Sequence, residues 1–262
     1  MQKDFYLNER TLAGYVEKDW FDHILRDNSR KPTFTFAPFD PKTLCCDHHE
    51  RMAEFLAEAL KKCEVHPKRM LEVGSSQGRT FYEICKKIKS MEFATLVEPS
   101  LNLYSIFSKI FYGEDLARIS ILKGNLEQDE VVLNTIPIKE ACSRVTVEHL
   151  NKRFQDLESF PGKFDLTICA NVIDQCTDHL QLVELLKKST APDGVLLLSC
   201  TYQWNDKYIG NAPELVRDIN QLFDSSWTFI SETNLPFQVR VYERYWMTFL
   251  SHVVVYRHHE TI

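Results

Sequence analysis

Residues 69–80, RMLEVGSSQGRT, constrain the fold of this chain more than any other segment. A short apolar run that carries one acid, Glu72, leads to two glycines four positions apart, Gly74 and Gly78, and a helix pattern follows. A buried strand, a glycine turn and a helix in this order are typical of an open parallel α/β sheet, where ligands bind beyond the carboxyl ends of the strands. An ordinary tight turn between a strand and a helix would use glycine in the same way.

The following segments repeat this alternation of strands and helices. Strand-like apolar runs, FATLVEPS, KFDLTICAN and APDGVLLLSC, alternate with the helix patterns LNLYSIFSKIF and LQLVELLKKST. Near-continuous apolar strands separated by helices predict a mostly parallel, twisted sheet with both faces covered. The closing segment, FQVRVYERYWMTFLSHVVVYRHH, is rich in β-branched and aromatic residues and predicts two further strands, antiparallel at one sheet edge.

The chain of 262 residues is predicted to form a single domain, because we find no repeat, low-complexity tract or linker in it. Residues 1–60 are expected to be an N-terminal helical extension, and residues 61–262 the α/β core. In the extension, apolar and aromatic residues recur at helical spacing from Leu12 to Ile24. A second helix pattern follows a cap at Thr43 or Asp47.

Charge and composition argue against several classes of partner. The net charge of −6 gives no global attraction to nucleic acid. The first residues are polar, and no apolar run approaches the length that spans a bilayer, so we expect a cytoplasmic protein without a membrane partner. The eight cysteines lack paired spacing and several lie in apolar segments, which predicts reduced, buried thiols.

A cluster of metal-ligand residue types occurs in the segment LCCDHHERM, which contains Cys45, Cys46, Asp47, His48 and His49. Zinc usually takes its ligands from separated pairs such as C-x-x-C, whereas the side chains of adjacent residues point apart. We therefore expect no metal site in this segment.

The spacing of the glycine turn argues against two kinds of phosphate-containing cofactor. A dinucleotide site is typically G-x-G-x-x-G, but this chain has no middle glycine between Gly74 and Gly78. A phosphate-binding P-loop ends in Gly-Lys-Ser/Thr, and Arg79 and Thr80 do not supply that ending. The spacing does suit S-adenosylmethionine (SAM), which has no phosphate.

Each part of the turn has an expected role in SAM binding. Glu72 can hold the ammonium group of the cofactor by hydrogen bonds. Gly74 and Gly78 allow the backbone to approach the methionine portion where a Cβ atom would collide. Ser75 and Ser76 lie between them and are expected to contact the same portion.

Two polar residues at the ends of later strands complete this pattern. Glu98 ends the second strand, where a carboxylate can bind both ribose hydroxyls, although dinucleotide folds also place an acid there. Asn171 ends an apolar parallel strand at the edge where a cofactor lies. An acid in the first strand, a glycine turn, a helix and an acid after the second strand together resemble the class I SAM-dependent methyltransferase pattern, which implies a Rossmann-like fold.

Several segments resemble a narrower family. The segments SCTYQW, NLPFQVRVYERYW and SHVVVYR are similar to the C-terminal 4-mercaptohistidine N1-methyltransferase domain of ovothiol-biosynthesis enzymes. The resemblance implies methyl transfer to an imidazole nitrogen of a thiol-bearing histidine. Two strand candidates, RISILKG and SRVTVEHL, compete in the middle of the chain, and ILKGNLEQDEVVLNTIP resembles an insertion of this family. On that basis SRVTVEHLN is the third strand, and Asn151 takes the adenine-facing position.

The chain departs from this family in three ways. The sulfur-installing domain that precedes the module in ovothiol enzymes is not in this sequence, so a separate sulfur-inserting partner enzyme is one expectation. Asn151 stands where the family has Asp, and it can still accept a hydrogen bond from the adenine amine. Val241 and Tyr242 stand where the family usually has Glu-His, which leaves the identity of the methyl acceptor open.

The expected chemistry is an in-line displacement at a sulfonium, so the enzyme has mainly to position the nucleophile. A neutral imidazole nitrogen already carries a lone pair near neutral pH and needs no strong base. A hydrogen-bond partner must select the tautomer and receive the released proton, for which Tyr202, Tyr242 and Glu243 are candidates.

The other catalytic candidates would bind the substrate. Arg240 or Arg244 would bind the carboxylate of an amino-acid substrate, and Trp204 would wall the pocket. In one strand, Arg240, Tyr242 and Arg244 would share a face. If that face points to solvent, the arginines are only solvating charges, and Tyr202 and Trp204 could equally pack in the core.

Two other functions remain open at this stage. The enzyme could methylate another small molecule or a protein side chain, and a protein substrate would need an open groove in place of a lidded pocket. A SAM-fold protein without catalysis, acting as a partner subunit or sensor, is the alternative from another class.

Overall fold

The computed structural model describes residues 9–25, 47–123, 127–157, 162–204, 215–242 and 245–259. In chain order, its helices and strands are α1 (Glu9–Trp20), β1 (Ile24–Leu25), α2 (His48–Lys62), β2 (Arg69–Val73), α3 (Arg79–Lys87), β3 (Phe93–Val97), α4 (Leu101–Phe111), β4 (Leu116–Lys123), β5 (Glu127–Asn134), α5 (Ile136–Cys142), β6 (Thr146–Leu150), β7 (Phe164–Ala170), α6 (His179–Ser189), β8 (Thr190–Cys200), β9 (Trp227–Tyr242) and β10 (Tyr245–His258).

The main sheet has seven strands in the order β6-β3-β2-β7-β8-β10-β9. Strands β6, β3, β2, β7 and β8 pair in parallel, whereas β10 runs antiparallel to both β8 and β9. The predicted Rossmann-like α/β fold with antiparallel strands at its C-terminal edge is therefore confirmed. The segment SRVTVEHLN forms β6 beside β3, as expected for the third strand.

Both faces of this sheet are buried under helices, which explains why its strands are apolar on both sides. Along β2, Met70 belongs to one hydrophobic cluster and Leu71 to the other, because neighbouring side chains point to opposite faces. The first cluster includes apolar residues of α2, α3 and α4, and the second includes those of α6. The predicted thiols Cys85, Cys169 and Cys200 are buried and free, as the apolar surroundings indicated.

The middle of the chain forms a second sheet that the sequence did not predict. Its three strands lie in the order β1-β5-β4, and all pair antiparallel. Along β4, Ala117 and Ile119 are buried while Arg118 is exposed, the alternation of a strand with one covered face. The two strand candidates of this region are thus both strands, in different sheets.

The N-terminal helix ends earlier than the apolar spacing predicted. Helix α1 stops at Trp20, a short 3-10 turn follows over Phe21–His23, and β1 then pairs with β5. The second helix begins after Asp47, whose side chain makes no capping hydrogen bond; Thr43, the other cap candidate, lies outside the described residues.

Buried polar contacts from the glycine-turn segment hold α1 in place. The Arg79 guanidinium binds both carboxylate oxygens of Asp22, at 2.6 and 2.9 Å, and its Nη1 also donates to the Asp19 carbonyl. It also donates to Glu83, which is fully buried, at 2.6 and 3.0 Å. Gln77 adds a hydrogen bond from its amide to the Asp19 carboxylate at 3.4 Å. The sequence argument used Arg79 only to exclude a P-loop, and so missed this structural role.

We expect Arg79→Met to lower the free energy of unfolding by roughly 3–5 kcal/mol, because it leaves the buried Glu83 carboxylate without its arginine. Denaturant unfolding of the two proteins measures the difference. Arg118→Met is the matched control, since its ion pair with Glu130 at 2.9 Å is exposed, and such pairs contribute about 1 kcal/mol or less. Equal effects of the two substitutions would contradict the role of Arg79 in holding α1 in place.

Strands β9 and β10 extend past the carboxyl edge of the main sheet. Cys200, the last residue of β8, pairs with His252, so residues 245–251 of β10 continue beyond it with their partners 235–242 of β9. At the usual rise per residue this arm, residues 235–242 and 245–251, is roughly 20 Å long. Helices α1 and α2 both contact β9. Within the described ranges, no helix combines the length and apolar character needed to cross a membrane.

Tyr242, the last residue of β9, pairs with Tyr245, the first residue of β10. Arg244 lies outside the described residues, so the expectation that Arg240, Tyr242 and Arg244 share a face of one strand stays a prediction.

Candidate functional site

The glycine turn lies where β2 and β3 end side by side. The amides of Gly74 and Ser75 both donate to the carbonyl of Val97, the last residue of β3, at 2.8 and 3.1 Å. Gly74 has φ +75°, and a Cβ atom there would lie 2.3 Å from a methyl carbon of Val172. Ser76 also has positive φ, at +51°. The turn is thus fixed by its backbone contacts and by close packing against the loop after β7.

Gly78 is required for packing between helices. It is the N-cap of α3, with φ +84°, and a Cβ atom there would lie 2.6 Å from the ring of Phe107 and 2.7 Å from that of Phe111. Both turn glycines therefore face protein side chains closely. The approach to a cofactor that the sequence assigned to Gly74 and Gly78 stays a prediction.

Glu98 lies just beyond the end of β3 and is bonded to the turn. One oxygen of its carboxylate accepts from the amide of Ser76 at 2.9 Å, and the other accepts from the amide of Ser100 at 2.8 Å. The Asn151 side-chain amide donates to the Glu98 carbonyl at 2.8 Å. A carboxylate has about four acceptor positions, so each of its oxygens can accept from more than one donor.

Glu72 is a buried acid whose Oε2 atom has no partner among the described residues. Burial raises the pKa of its carboxyl to about 8; the nearby Glu98 also raises this pKa, and a hydrogen bond with Thr80 opposes the change. The carboxyl is thus protonated near neutral pH. A cation placed beside it would restore the ionised form.

Asn171 follows the end of β7 in a conformation with φ +55°. Its Oδ1 atom accepts from the hydroxyls of Ser199 and Ser251, at 3.0 and 2.6 Å. With the amide oxygen held by two donors, the side-chain NH₂ is presented as the donor. The sequence singled out Asn171 but not the two serines, which lie on β8 and β10.

Tyr202 and Trp204 follow β8, where the sequence placed them. Tyr202 is half-buried with φ +57°; its hydroxyl lies 2.7 Å from Nδ1 of His252 and accepts from the amide of Ile219 at 3.1 Å. Burial raises the pKa of Tyr202. The Trp204 ring lies 4.8 Å from the ring of His179. The backbones of Arg240 and Tyr242 lie on the arm; their side chains, and all of Arg244, lie outside what the structure describes.

The histidines of the segment LCCDHHERM have other partners. The two ring nitrogens of His49 lie 2.9 Å from the Thr80 hydroxyl and 3.2 Å from the Asp19 carboxylate. Cys45 and Cys46 lie outside the described residues. Among the side chains that are described, no three of the metal-ligand types gather as a metal site would require.

The structure thus brings eight predicted cofactor residues to the carboxyl ends of neighbouring parallel strands. They are Glu72, Gly74, Ser75, Ser76, Gly78, Glu98, Asn151 and Asn171. The charged members of this set are acids, and its other polar groups are hydroxyls and amides, which suits a cationic ligand with hydroxyl groups.

Comparison with known proteins gives a family model and structural relatives. A family model described as a methyltransferase domain matches residues 47–260. The plantazolicin methyltransferase BpumL in complex with SAH is 11% identical, with a TM-score of 0.51 over 95% of each chain. The YcgJ protein from Bacillus subtilis is 12% identical, with a TM-score of 0.50 over 82% of this chain and 100% of its own. At these identities the likeness shows the fold. No curated protein matches the sequence.

Proposed function

Because this chain belongs to the methyltransferase domain family, we propose that it transfers a methyl group from SAM to an imidazole nitrogen of histidine or of a thiohistidine-type metabolite. SAM is the cofactor of this domain, and the relative BpumL carries SAH, which is SAM without its methyl group. The observation that carries the proposal is the set of acids and amides gathered at the carboxyl ends of β2, β3, β6 and β7. The choice of acceptor rests on the likeness of the C-terminal segments to the thiohistidine family.

Different residues around the turn would bind different parts of the cofactor. Glu98 would bind the ribose hydroxyls through its carboxylate, which also accepts from the amides of Ser76 and Ser100. Asn151 donates to the Glu98 carbonyl, and its own side-chain oxygen would accept from the adenine amine. Glu72 would become ionised beside the ammonium group. Together these residues would fix the cofactor at both ends.

Bound SAM supplies a methyl carbon that is activated by its sulfonium. The protein has to orient the acceptor and take up the proton that the acceptor releases. Tyr202 would accept a hydrogen bond from the ring N–H of the imidazole, so that the other ring nitrogen presents its lone pair. Trp204 would wall the pocket and keep water out, and Asn171 presents its amide donors at the same edge. A positioned nucleophile supplies most of the acceleration that such a displacement needs.

The arm would bind the polar end of an amino-acid substrate. Its residues Arg240 and Arg244 would bind the substrate carboxylate, where a two-pronged arginine contact is strong. A separate sulfur-inserting enzyme would supply the thiohistidine form of the substrate.

We expect Arg240→Ala to raise the KM for the acceptor roughly 10- to 100-fold, because a hydrogen bond between charged groups contributes about 1.5–3 kcal/mol. The SAM dissociation constant should change less than about twofold. Histamine, which lacks the carboxylate, should have a similar KM with both proteins, and Arg118→Ala on the exposed face of β4 is the matched control. An unchanged acceptor KM would show that Arg240 is a surface charge.

A further inference from the structure

A chain of three side chains leads from Tyr202 to the outer edge of the sheet. The Tyr202 hydroxyl lies 2.7 Å from Nδ1 of His252, and Nε2 of the same ring lies 3.1 Å from the Glu232 carboxylate. Asn220 donates to the same carboxylate oxygen at 2.9 Å. The three linked residues lie after β8, on β10 and on β9, and the sequence patterns drew attention only to Tyr202.

The chemistry of the groups fixes where the protons lie in this chain. An ionised carboxylate can only accept, so His252 donates through Nε2, and its Nδ1 is then the acceptor. The Tyr202 hydroxyl therefore donates to His252. The hydrogen bonds from Asn220 and His252 also lower the pKa of Glu232, which keeps it ionised. Because the amide of Ile219 uses one lone pair of the phenol oxygen, one lone pair remains for a ligand.

The outer end of this chain is exposed. Tyr202 and His252 are both half-buried, whereas the side chain of Glu232 is 48% exposed. The backbone of Tyr202 also has positive φ, which costs a bulky residue of order 1–3 kcal/mol and persists only where surrounding contacts enforce it. These contacts aim the phenol at His252.

We propose that His252 and Glu232 are positioning residues for Tyr202, and that the three form a relay that carries the proton released by the methyl acceptor to solvent. The proposal rests on the proposed function. As the methyl group is transferred, positive charge develops on the acceptor ring, and its N–H bond breaks while the proton joins the free lone pair of Tyr202. At the same time the phenol passes its own proton to Nδ1 of His252. The resulting imidazolium is paired with Glu232 and then loses one proton to water.

The kinetic test compares substitutions along the relay. We expect His252→Gln, which can still hydrogen-bond but cannot carry the proton, to lower kcat about 100-fold, the usual contribution of a proton-transfer group. Acceptor KM and SAM affinity should stay within about threefold. His258→Gln, at the far end of β10, is the matched control and should behave as wild type. A wild-type kcat in His252→Gln, whether or not the acceptor KM rises, would overturn the relay.

A pH profile separates proton transfer from a structural effect. Among the described residues, the titratable groups around Tyr202 and His252 include Glu232, Cys200 and Asp218. Removing the Glu232 charge disfavours the imidazolium of His252, so Glu232→Gln should move the acidic limb of kcat/KM to lower pH. A profile that keeps its shape in this variant would contradict the assignment of Glu232.

The ¹⁵N NMR spectrum of His252 tests the arrangement without any turnover. The wild-type protein should show the neutral tautomer with its proton on Nε2, and Tyr202→Phe should alter the Nδ1 signal. If the wild type methylates no imidazole acceptor, the proposed function fails while this spectrum still decides the hydrogen-bond chain. A proton on Nδ1 in the wild type would overturn the relay itself.

Discussion

Replacing Glu98 with alanine should lower the affinity for SAM at least about 100-fold, because two hydrogen bonds from ribose hydroxyls to a charged group are lost at about 1.5–3 kcal/mol each. The same change removes the acceptors of the Ser76 and Ser100 amides, so the turn also loses one of its connections to the end of β3. Calorimetric titration with SAM measures the effect directly.

Two controls separate lost contacts from lost fold. Glu148→Ala removes an exposed acid from the neighbouring strand β6 and should leave the SAM affinity unchanged. A thermal unfolding curve of Glu98→Ala that remains cooperative shows that the sheet persists. Near-native SAM affinity in a folded Glu98→Ala protein would rule out the ribose assignment.

Replacing Glu72 with glutamine should stabilise the free protein and weaken SAM binding at the same time. The pKa of Glu72 is raised from 4.5 to about 8, so the native state holds a proton that the unfolded chain releases above pH 4.5. The free energy of unfolding of the wild type therefore falls as pH rises from about 4.5 to 8. Glutamine removes this dependence, so its advantage should grow from about 1 kcal/mol at pH 5 to about 4 kcal/mol at pH 8.

Denaturant unfolding at several pH values measures this difference, with Glu148→Gln as the exposed control that should show little pH dependence. In the wild type, SAM binding near pH 7 should also release a proton, because the cofactor ammonium favours the ionised Glu72. Calorimetry in buffers of different ionisation enthalpy detects that proton. A stability difference independent of pH would show that Glu72 is ionised in the free protein.

The sequence predicted the parts of the fold that depend on local patterns. The apolar runs and glycine turn identified β2, β3, β7 and β8, and the helix pattern LNLYSIFSKIF corresponds to α4 without a shift. By contrast, β1 has two residues and exists only because it pairs with Leu133 and Val132, more than one hundred positions later. No local spacing indicates such a strand. The end of α1 at Trp20 was missed for the same reason.

In the candidate site, too, the sequence predicted the residues that a local pattern marks and missed those that only long-range contacts bring together. Glu98 and Asn171 were predicted because a polar residue at the end of a buried parallel strand lies at the ligand-binding edge. The partners of Tyr202 were not, since His252 and Glu232 approach it only after β9 and β10 have paired in a particular register. Arg79 and Gln77 were also missed, because the residues they hold lie on α1 and in the turn after it.

Methyl transfer from SAM labelled in its methyl group with ¹³C, followed by mass spectrometry and NMR of the product, tests the central claim most directly. The purified protein would be offered thiohistidine, histidine and a cell metabolite extract. We expect one labelled methyl group on a ring nitrogen of thiohistidine or histidine. A label found only on another metabolite in the extract, or no transfer in spite of SAM binding, would contradict the imidazole acceptor.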